Sequence, residues 1–413
     1  MRFDLPYGNT QVSLDIPGKN ILSVIADDRP VIAGDEESII RRALSEPIGK
    51  KPLRESAKGK KSAVILASDI TRPAPSYKFL PFIVDELKSA GVADIKVIIG
   101  LGIHRKHTEE ERKKLVGKKV YSSCDVMDSD QNRCRSLGKT SFKTPVELFE
   151  EALGSDMLIA TGNIEYHYFA GYSGGAKAVM PGISSKAAIT NNHSYMLCDS
   201  SCAANIKDNP VRNDIEEAGK LAGIDYIFNV ILDDNKRIID AVAGANDEAF
   251  LEGVYRYDSY FMKETDKAAD MVIVSAGGFP KDINLYQSHK AIENVKDIVK
   301  QGGSIVLVAE CKEGFGEETF KKWMFKAKDY KRCKKDIEED FVLGGHKAAA
   351  ISKILSGIEV VLFSTFDGAV SRDMGFKKTD SLQDHIDKAL SIQKDTSITV
   401  VPTGRLVKLK SKN

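Results

Sequence analysis

Short apolar runs alternate along this chain with longer stretches whose apolar residues recur at helical spacing. Ser62-Ala-Val-Ile-Leu-Ala67 and Ile95-Lys-Val-Ile-Ile99 read as buried strands, and the amphipathic stretch from Tyr77 to Ala90 reads as the crossover helix between them. Asp156-Met-Leu-Ile-Ala-Thr161 and Tyr226 to Leu232 continue the pattern, with a helix predicted over Val211 to Ala222. Runs that are apolar throughout suit strands covered on both faces, so a parallel, wound sheet is expected. Ahead of it, Gln11-Val-Ser-Leu-Asp-Ile16 alternates polar and apolar residues as a half-buried strand does, and residues up to about Val31 are expected to form a short β-rich lead-in.

A second set of strands is predicted at Met271-Val-Ile-Val-Ser275, Ser304-Ile-Val-Leu-Val308, Ile358-Glu-Val-Val-Leu-Phe363 and Ser397-Ile-Thr-Val-Val401. The charged, irregular stretch Met262 to Lys267 precedes it and marks the expected boundary, because 413 residues exceed what one compact core holds. The expected fold class is α/β: two wound α/β domains with mainly parallel sheets, residues 1–265 and 266–413, and the active site in the cleft between them. The final strand and tail from about residue 396 are left free to pack elsewhere, and Lys408-Leu-Lys-Ser-Lys-Asn413 is expected to fray.

Charge narrows the function. With 60 basic and 59 acidic residues, neither a nucleic acid nor an anionic membrane surface is suggested as a partner. The basic run Lys321 to Lys335 is followed at once by Asp336-Ile-Glu-Glu-Asp340, which reads as a solvated helical face with local charge pairing. The amino terminus lacks an apolar stretch of signal-peptide length and no later run approaches a membrane span, so a cytoplasmic protein is expected. Six cysteines without CxxC spacing argue for reduced, structural thiols.

The stretch from Gly162 to Lys177, continuing to His193, least resembles packing sequence. It follows an expected strand, holds four glycines within fourteen residues, and presents imidazoles and an amine at a strand end, where open α/β sheets bind ligands. His104, in Gly100-Leu-Gly-Ile-His-Arg-Lys-His-Thr108, follows the strand ending at Ile99, and His167 follows the next core strand. Both are therefore expected in one crevice, suited to proton transfer or to metal binding. His107 is expected to face solvent at the start of a helix over Thr108 to Leu115. Ser68-Asp-Ile-Thr-Arg-Pro73 occupies the same position after the strand ending at Ala67; Arg72 there can grip a carboxylate, oriented by Asp69, or the two can be a helix cap and its surface partner. Gly171-Tyr-Ser-Gly-Gly-Ala-Lys177 lacks the Ser or Thr that a P-loop needs after its lysine. A zinc hydrolase with His104, His107 and His167 as ligands stays open although no HExxH spacing is present, as does a non-catalytic nucleotide- or cofactor-binding protein.

Taken together, DITRP, GIHRKHT, GNIEYHYFAGYSGGAKAVMPG, the histidine of NNHS and the later LYQSHK resemble the nickel-dependent lactate racemase family of 2-hydroxyacid racemases and epimerases, in family order from Asp69 to Lys290. The resemblance implies a nickel pincer nucleotide, a nickel-bearing pyridinium-3-thioamide-5-thiocarboxylic acid mononucleotide made from nicotinic acid. It also implies the enzymes that build that cofactor as partners, and a small 2-hydroxyacid as substrate. Carried over by position, Lys177 looks like the lysine attached covalently through a thioamide, and His193 like the protein ligand of nickel. His104 and His167 resemble the acid/base pair on either side of the substrate, and Arg72 and Lys290 the cations that hold its carboxylate. Asp69, Tyr286 and Gln287 line the same site, Asp69, Ser173, Gly174 and Gly175 stand beside the cofactor, and Phe366 is the candidate for the family's pocket aromatic. The implied chemistry avoids a carbanion beside a carboxylate: a histidine takes the hydroxyl proton while hydride passes to the cofactor ring, and return to the other face of the planar 2-keto acid inverts the carbon.

Overall fold

The computed structural model describes residues 1–25, 34–72, 74–233, 235–339, 342, 344–404 and, as backbone, 408–411. The expected end of the lead-in at Val31, Pro73 of the DITRP motif and the last two residues lie outside these. Strands β1 (Arg2–Tyr7) and β2 (Thr10–Asp15) pair as an antiparallel hairpin, and β3 (Ile21–Val24) follows.

From the helix Glu36–Ser45 to Tyr260 the chain forms one compact unit. Its strands are β4 (Ser62–Ser68), β5 (Asp94–Gly100), β6 (Asp125–Asp128), β7 (Cys134–Lys139), β8 (Pro145–Phe149), β9 (Leu158–Asn163), β10 (Tyr166–His167), β11 (Gly171–Tyr172), β12 (Tyr226–Leu232) and β13 (Ile238–Gly244). Six of them make one sheet in the order β13-β12-β9-β4-β5-β6, parallel except for β13, which runs antiparallel to β12 at the edge. All six residues of β9 are buried, as a central strand covered on both faces requires. The crossover helix Ser76–Ser89 turns Phe79, Leu80, Ile83, Val84 and Leu87 into the core beside Ile65 and Val97. Each such side chain fully buried contributes about 1.5–3 kcal/mol.

The rest of the chain, from Phe261, forms a second compact unit together with the amino-terminal strands. Here β14 (Met262–Thr265) pairs in parallel with β20 (Lys408–Ser411), so the tail expected to fray carries a strand. The main sheet has the order β18-β17-β16-β15-β19-β3, all parallel, from β15 (Ala269–Ser275), β16 (Val299–Val308), β17 (Glu359–Phe363), β18 (Lys377–Lys378) and β19 (Ile398–Val401). The expected division into residues 1–265 and 266–413 needs correction at the amino terminus. Ile21 stands opposite Ile398 and Val24 opposite Val400, while Leu5, Leu14 and Ile16 share a core with Met271, Val306 and Val400. The basic run falls on the helices Glu318–Met324 and Tyr330–Glu339, with Lys326 paired to Asp336 at 3.1 Å. Among the described residues, no helix is long and apolar enough to cross a membrane.

Candidate active site

β9 delivers the chain to the carboxyl end of its sheet, and β10 and β11 then pair as a small hairpin with Tyr166 opposite Tyr172 and His167 opposite Gly171. Both tyrosine hydroxyls donate to Asp258 on the helix Asn246–Phe261, at 2.9 and 2.7 Å. Burial, with that carboxylate beside them, pushes both phenols far above their ordinary range, so they remain donors at any physiological pH. The following turn is braced from several sides. Ser173 Oγ donates to the Asn163 carbonyl at 2.7 Å and accepts from the Glu165 amide at 3.0 Å, and the Gly175 amide donates to Asn229 Oδ1 at 2.8 Å. Gly174 has φ +84°, and a Cβ there would lie 2.9 Å from Asn229 Oδ1 and from Ile164. Arg212, wholly buried on the helix Pro210–Ala222, donates to the carbonyls of Tyr172 at 3.2 Å and Gly174 at 3.3 Å. Its guanidinium pairs with Glu216 and lies 3.8 Å from the centre of the Phe250 ring.

This bracing gathers three of the expected groups around one buried ring. The ring of Phe169 lies 4.5 Å from that of His167, 4.9 Å from that of His193 and 5.8 Å from Lys177 Nζ. Lys177 as a residue keeps some accessible surface, yet its amine is enclosed. Burial pushes it well below its ordinary range, Arg72 and Arg212 push it further, and Glu165 opposes them. The influence of Arg72 brings the DITRP segment into the same neighbourhood. His167 Nδ1 accepts from the Ala170 amide at 3.3 Å, which puts the ring proton on Nε2. His193 is buried on the helix Lys186–Ser194, which Ser185 caps by accepting from the Ala188 amide at 3.2 Å.

At the end of β4, Asp69 is turned toward His104 and Thr71, correcting the expectation that it orients Arg72. His104 Nδ1 lies 2.6 Å from Asp69 Oδ2 and the Thr71 hydroxyl donates to Asp69 at 2.9 Å. Burial, the largest influence, raises the Asp69 pKa. The hydrogen bond and charge of His104, with Thr71 and Arg72, outweigh it and leave the carboxyl below its ordinary range. A carboxylate only accepts, so His104 carries its proton on Nδ1 and a lone pair on Nε2. His107 does not face solvent. It is buried, with Nδ1 2.7 Å from Asp128 Oδ1 and Nε2 accepting from the Ile70 amide at 3.2 Å, and it fastens the DITRP segment to β6. The helix after it runs Glu109–Val116, closed by a capping box between Thr108 and Glu111.

In the second unit, Tyr286, Gln287 and Lys290 lie half-buried on the helix Leu285–Val295, whose Asn284 cap accepts from the Gln287 amide at 3.0 Å. Lys347 Nζ lies 3.3 Å from the centre of the Tyr286 ring. His289 Nδ1 donates to the Tyr286 carbonyl at 2.8 Å, and burial, with Lys347 and Lys290 adding repulsion, holds that imidazole well below its ordinary range and therefore neutral. Phe366 is buried edge-on against Phe315, with centroids 5.1 Å apart. Sequence reasoning overlooked Phe169, Arg212, Asn192, Asp214 and Lys347. Two of these carried a signal, since Arg212 and Asp214 interrupt the apolar face set by Val211, Ile215 and Ala218.

Two family models match the chain: the lactate racemase N-terminal domain over residues 7–204 and the lactate racemase C-terminal domain over residues 264–408. The chain belongs to the lactate racemase family. A lactate racemase of Thermoanaerobacterium thermosaccharolyticum is 32% identical over 423 aligned positions, 99% of each chain. That of Lactiplantibacillus plantarum is 32% identical over 329, covering 77% of this chain and 76% of the other. The solved lactate racemase apoprotein from T. thermosaccharolyticum superposes with a TM-score of 0.88 over 99% of this chain and all of that one, at 32% identity. A Thermotoga maritima protein at 18% identity and TM-score 0.62 shares the fold. Racemase chemistry is what membership of the lactate racemase family supports. Arg212, Asp214 and Asp258 lie between the two matched spans.

Proposed function

We propose that the protein interconverts the enantiomers of a small 2-hydroxyacid, lactate or an acid close to it, with a nickel pincer nucleotide held on the loop after β9. The observation that carries this reading is the gathering of His167, His193 and the Lys177 amine around Phe169. The residues suit such a group. Burial that lowers the pKa of the Lys177 amine makes its proton easier to lose, and the neutral amine is the nucleophile that acylation, as in a thioamide link, requires. Glycine at position 174 lets the turn pack against Asn229 and Ile164 where a Cβ would not fit, which fixes the loop that carries Lys177. A metal whose other donors come from a nucleotide needs only one imidazole from the protein, the part assigned to His193. When bound, the nucleotide supplies a hydride acceptor.

The chain's own groups handle the protons and the carboxylate. His104, with Nδ1 held by Asp69, takes the hydroxyl proton at Nε2, and the carboxylate stabilises the imidazolium that forms. His167 serves the opposite face in the reverse sense. Arg72 is assigned to the substrate carboxylate, and Lys290, Tyr286 and Gln287 to substrate binding by their place in the motif. The zinc reading loses His107, both of whose nitrogens are engaged. Intact-mass analysis under denaturing conditions of protein made with the cofactor-building enzymes tests the proposal. Wild-type protein should carry an adduct of cofactor size that Lys177→Ala lacks; active protein without an adduct would refute the covalent link.

A further inference from the structure

We infer that Asn192 and Asp214 form a positioning relay that fixes the tautomer of His193 and turns its Nε2 toward the ligand; this rests on the reading of His193 as the metal-binding residue. Asn192 is wholly buried, and its amide nitrogen donates to the Val211 carbonyl at 3.1 Å and to Asp214 Oδ2 at 2.8 Å. Both neighbours are acceptors, so the amide has one orientation, and its Oδ1 is the atom 3.0 Å from His193 Nδ1. An amide oxygen only accepts. Nδ1 of His193 therefore carries the proton, and the lone pair of the neutral ring belongs to Nε2.

Asp214 is equally buried and is held at both oxygens: the Thr140 hydroxyl donates to Oδ1 at 2.5 Å and the Thr144 hydroxyl to Oδ2 at 2.7 Å. These threonines flank the turn between β7 and β8, so three separate elements fix the Asn192 amide that holds the imidazole. Asn191 of the same helix adds a bond to Thr144 Oγ1 at 2.6 Å. Phe169, edge-on at 4.9 Å, limits rotation of the ring. A buried carboxylate behind an amide behind a histidine is costly as mere packing. It is the arrangement by which partners beyond the direct ligands orient a metal-binding imidazole and raise its basicity.

A bond made only for packing would also fix the tautomer but would leave nickel retention unmoved, so the two are read together. In full-length apoprotein labelled with nitrogen-15 histidine, at a pH of about 8, above the ordinary imidazole value of about 6.5, His193 is assigned by comparison with His193→Ala. It should show its proton on Nδ1. Asn192→Leu, close in shape but without the acceptor, should shift His193 toward the other tautomer or a mixture while the protein stays folded. Nickel retained by cofactor-loaded Asn192→Leu should fall roughly 10–100-fold. Asp214→Asn, which keeps the shape, should give a smaller change in the same sense and serves if Asn192→Leu does not fold. A wild-type proton on Nε2, or an unchanged tautomer in both variants, would overturn the relay. Full nickel occupancy in His193→Ala would overturn the ligand reading, a result that the tautomer measured in apoprotein distinguishes from failure of the relay.

Discussion

At the scale of single residues, the chemistry turns on how neighbours set protonation. Asp69 has its pKa below the ordinary carboxylate value of 3.8 through His104 and Thr71, against the opposing effect of burial. The stability it contributes is therefore fully present above pH 3.8 and is lost as pH falls through the lower folded value. Denaturant midpoints of wild-type protein should fall over that acid range more than those of Asp69→Asn. The same variant keeps the shape but removes the charge that supports the His104 imidazolium, so kcat should drop by roughly 10²–10⁴-fold. Lys177 runs in the opposite chemical sense. A buried amine with a lowered pKa makes unprotected apoprotein gain stability as pH rises toward the ordinary value of 10.5, because the unfolded chain holds the proton that the folded chain lacks. Lys177→Met apoprotein should be the more stable of the two near neutrality and show a flatter pH slope in thermal melts. With Arg72 assigned to the substrate carboxylate, Arg72→Ala should lower kcat/KM by about thirtyfold or more.

At the scale of elements, the site is a braced turn carried by rigid structure. Gly174→Ala places a Cβ against Asn229 and Ile164 at positive φ and should cost about 1–3 kcal/mol, with weaker cofactor loading. Arg212→Met should remove both carbonyl bonds to the turn and leave Glu216 without its buried partner, costing about 3–5 kcal/mol in chemical unfolding. The strands that hold this turn were legible because β4, β9 and β12 carry apolar runs, Ala63 to Ala67, Met157 to Ala160 and Tyr226 to Leu232 broken only at Asn229, and the helix over Tyr77 to Ala90 because its apolar face repeats every three or four residues. The edge strand β13 and the β7–β8 hairpin were missed. Cys134–Lys139 is mostly polar and exposed, whereas Ile238–Gly244 is buried throughout and its apolar run, broken at Asp240, was overlooked. His104, His167, Lys177 and His193 stood out because imidazoles and an amine among glycines are poor packing material. Asn192, Asp214 and Arg212 did not, since their roles depend on partners distant in sequence, such as Thr140 and Tyr172. His107 was misread because nothing in GIHRKHT signals that Asp128 closes over it.

At the scale of the whole molecule, the amino-terminal strands belong to the unit that begins at Phe261. A fragment spanning 261–413 lacks β3 and the Leu5, Leu14 and Ile16 contribution to its core, so it should aggregate or remain unfolded alone and recover native-like circular dichroism when residues 1–28 are supplied. The unit ending at Tyr260 has its own sheet and core and should fold in isolation, as a cooperative thermal transition would show. The proposed function takes the whole chain loaded with its nucleotide, and its central claim is inversion by hydride transfer. The most direct test starts from one enantiomer of lactate deuterated at C2, in ordinary water, and follows the label in the inverted product by mass spectrometry. Hydride transfer and return predict that the product keeps the deuterium at C2; its replacement by solvent hydrogen at the rate of inversion would contradict the account.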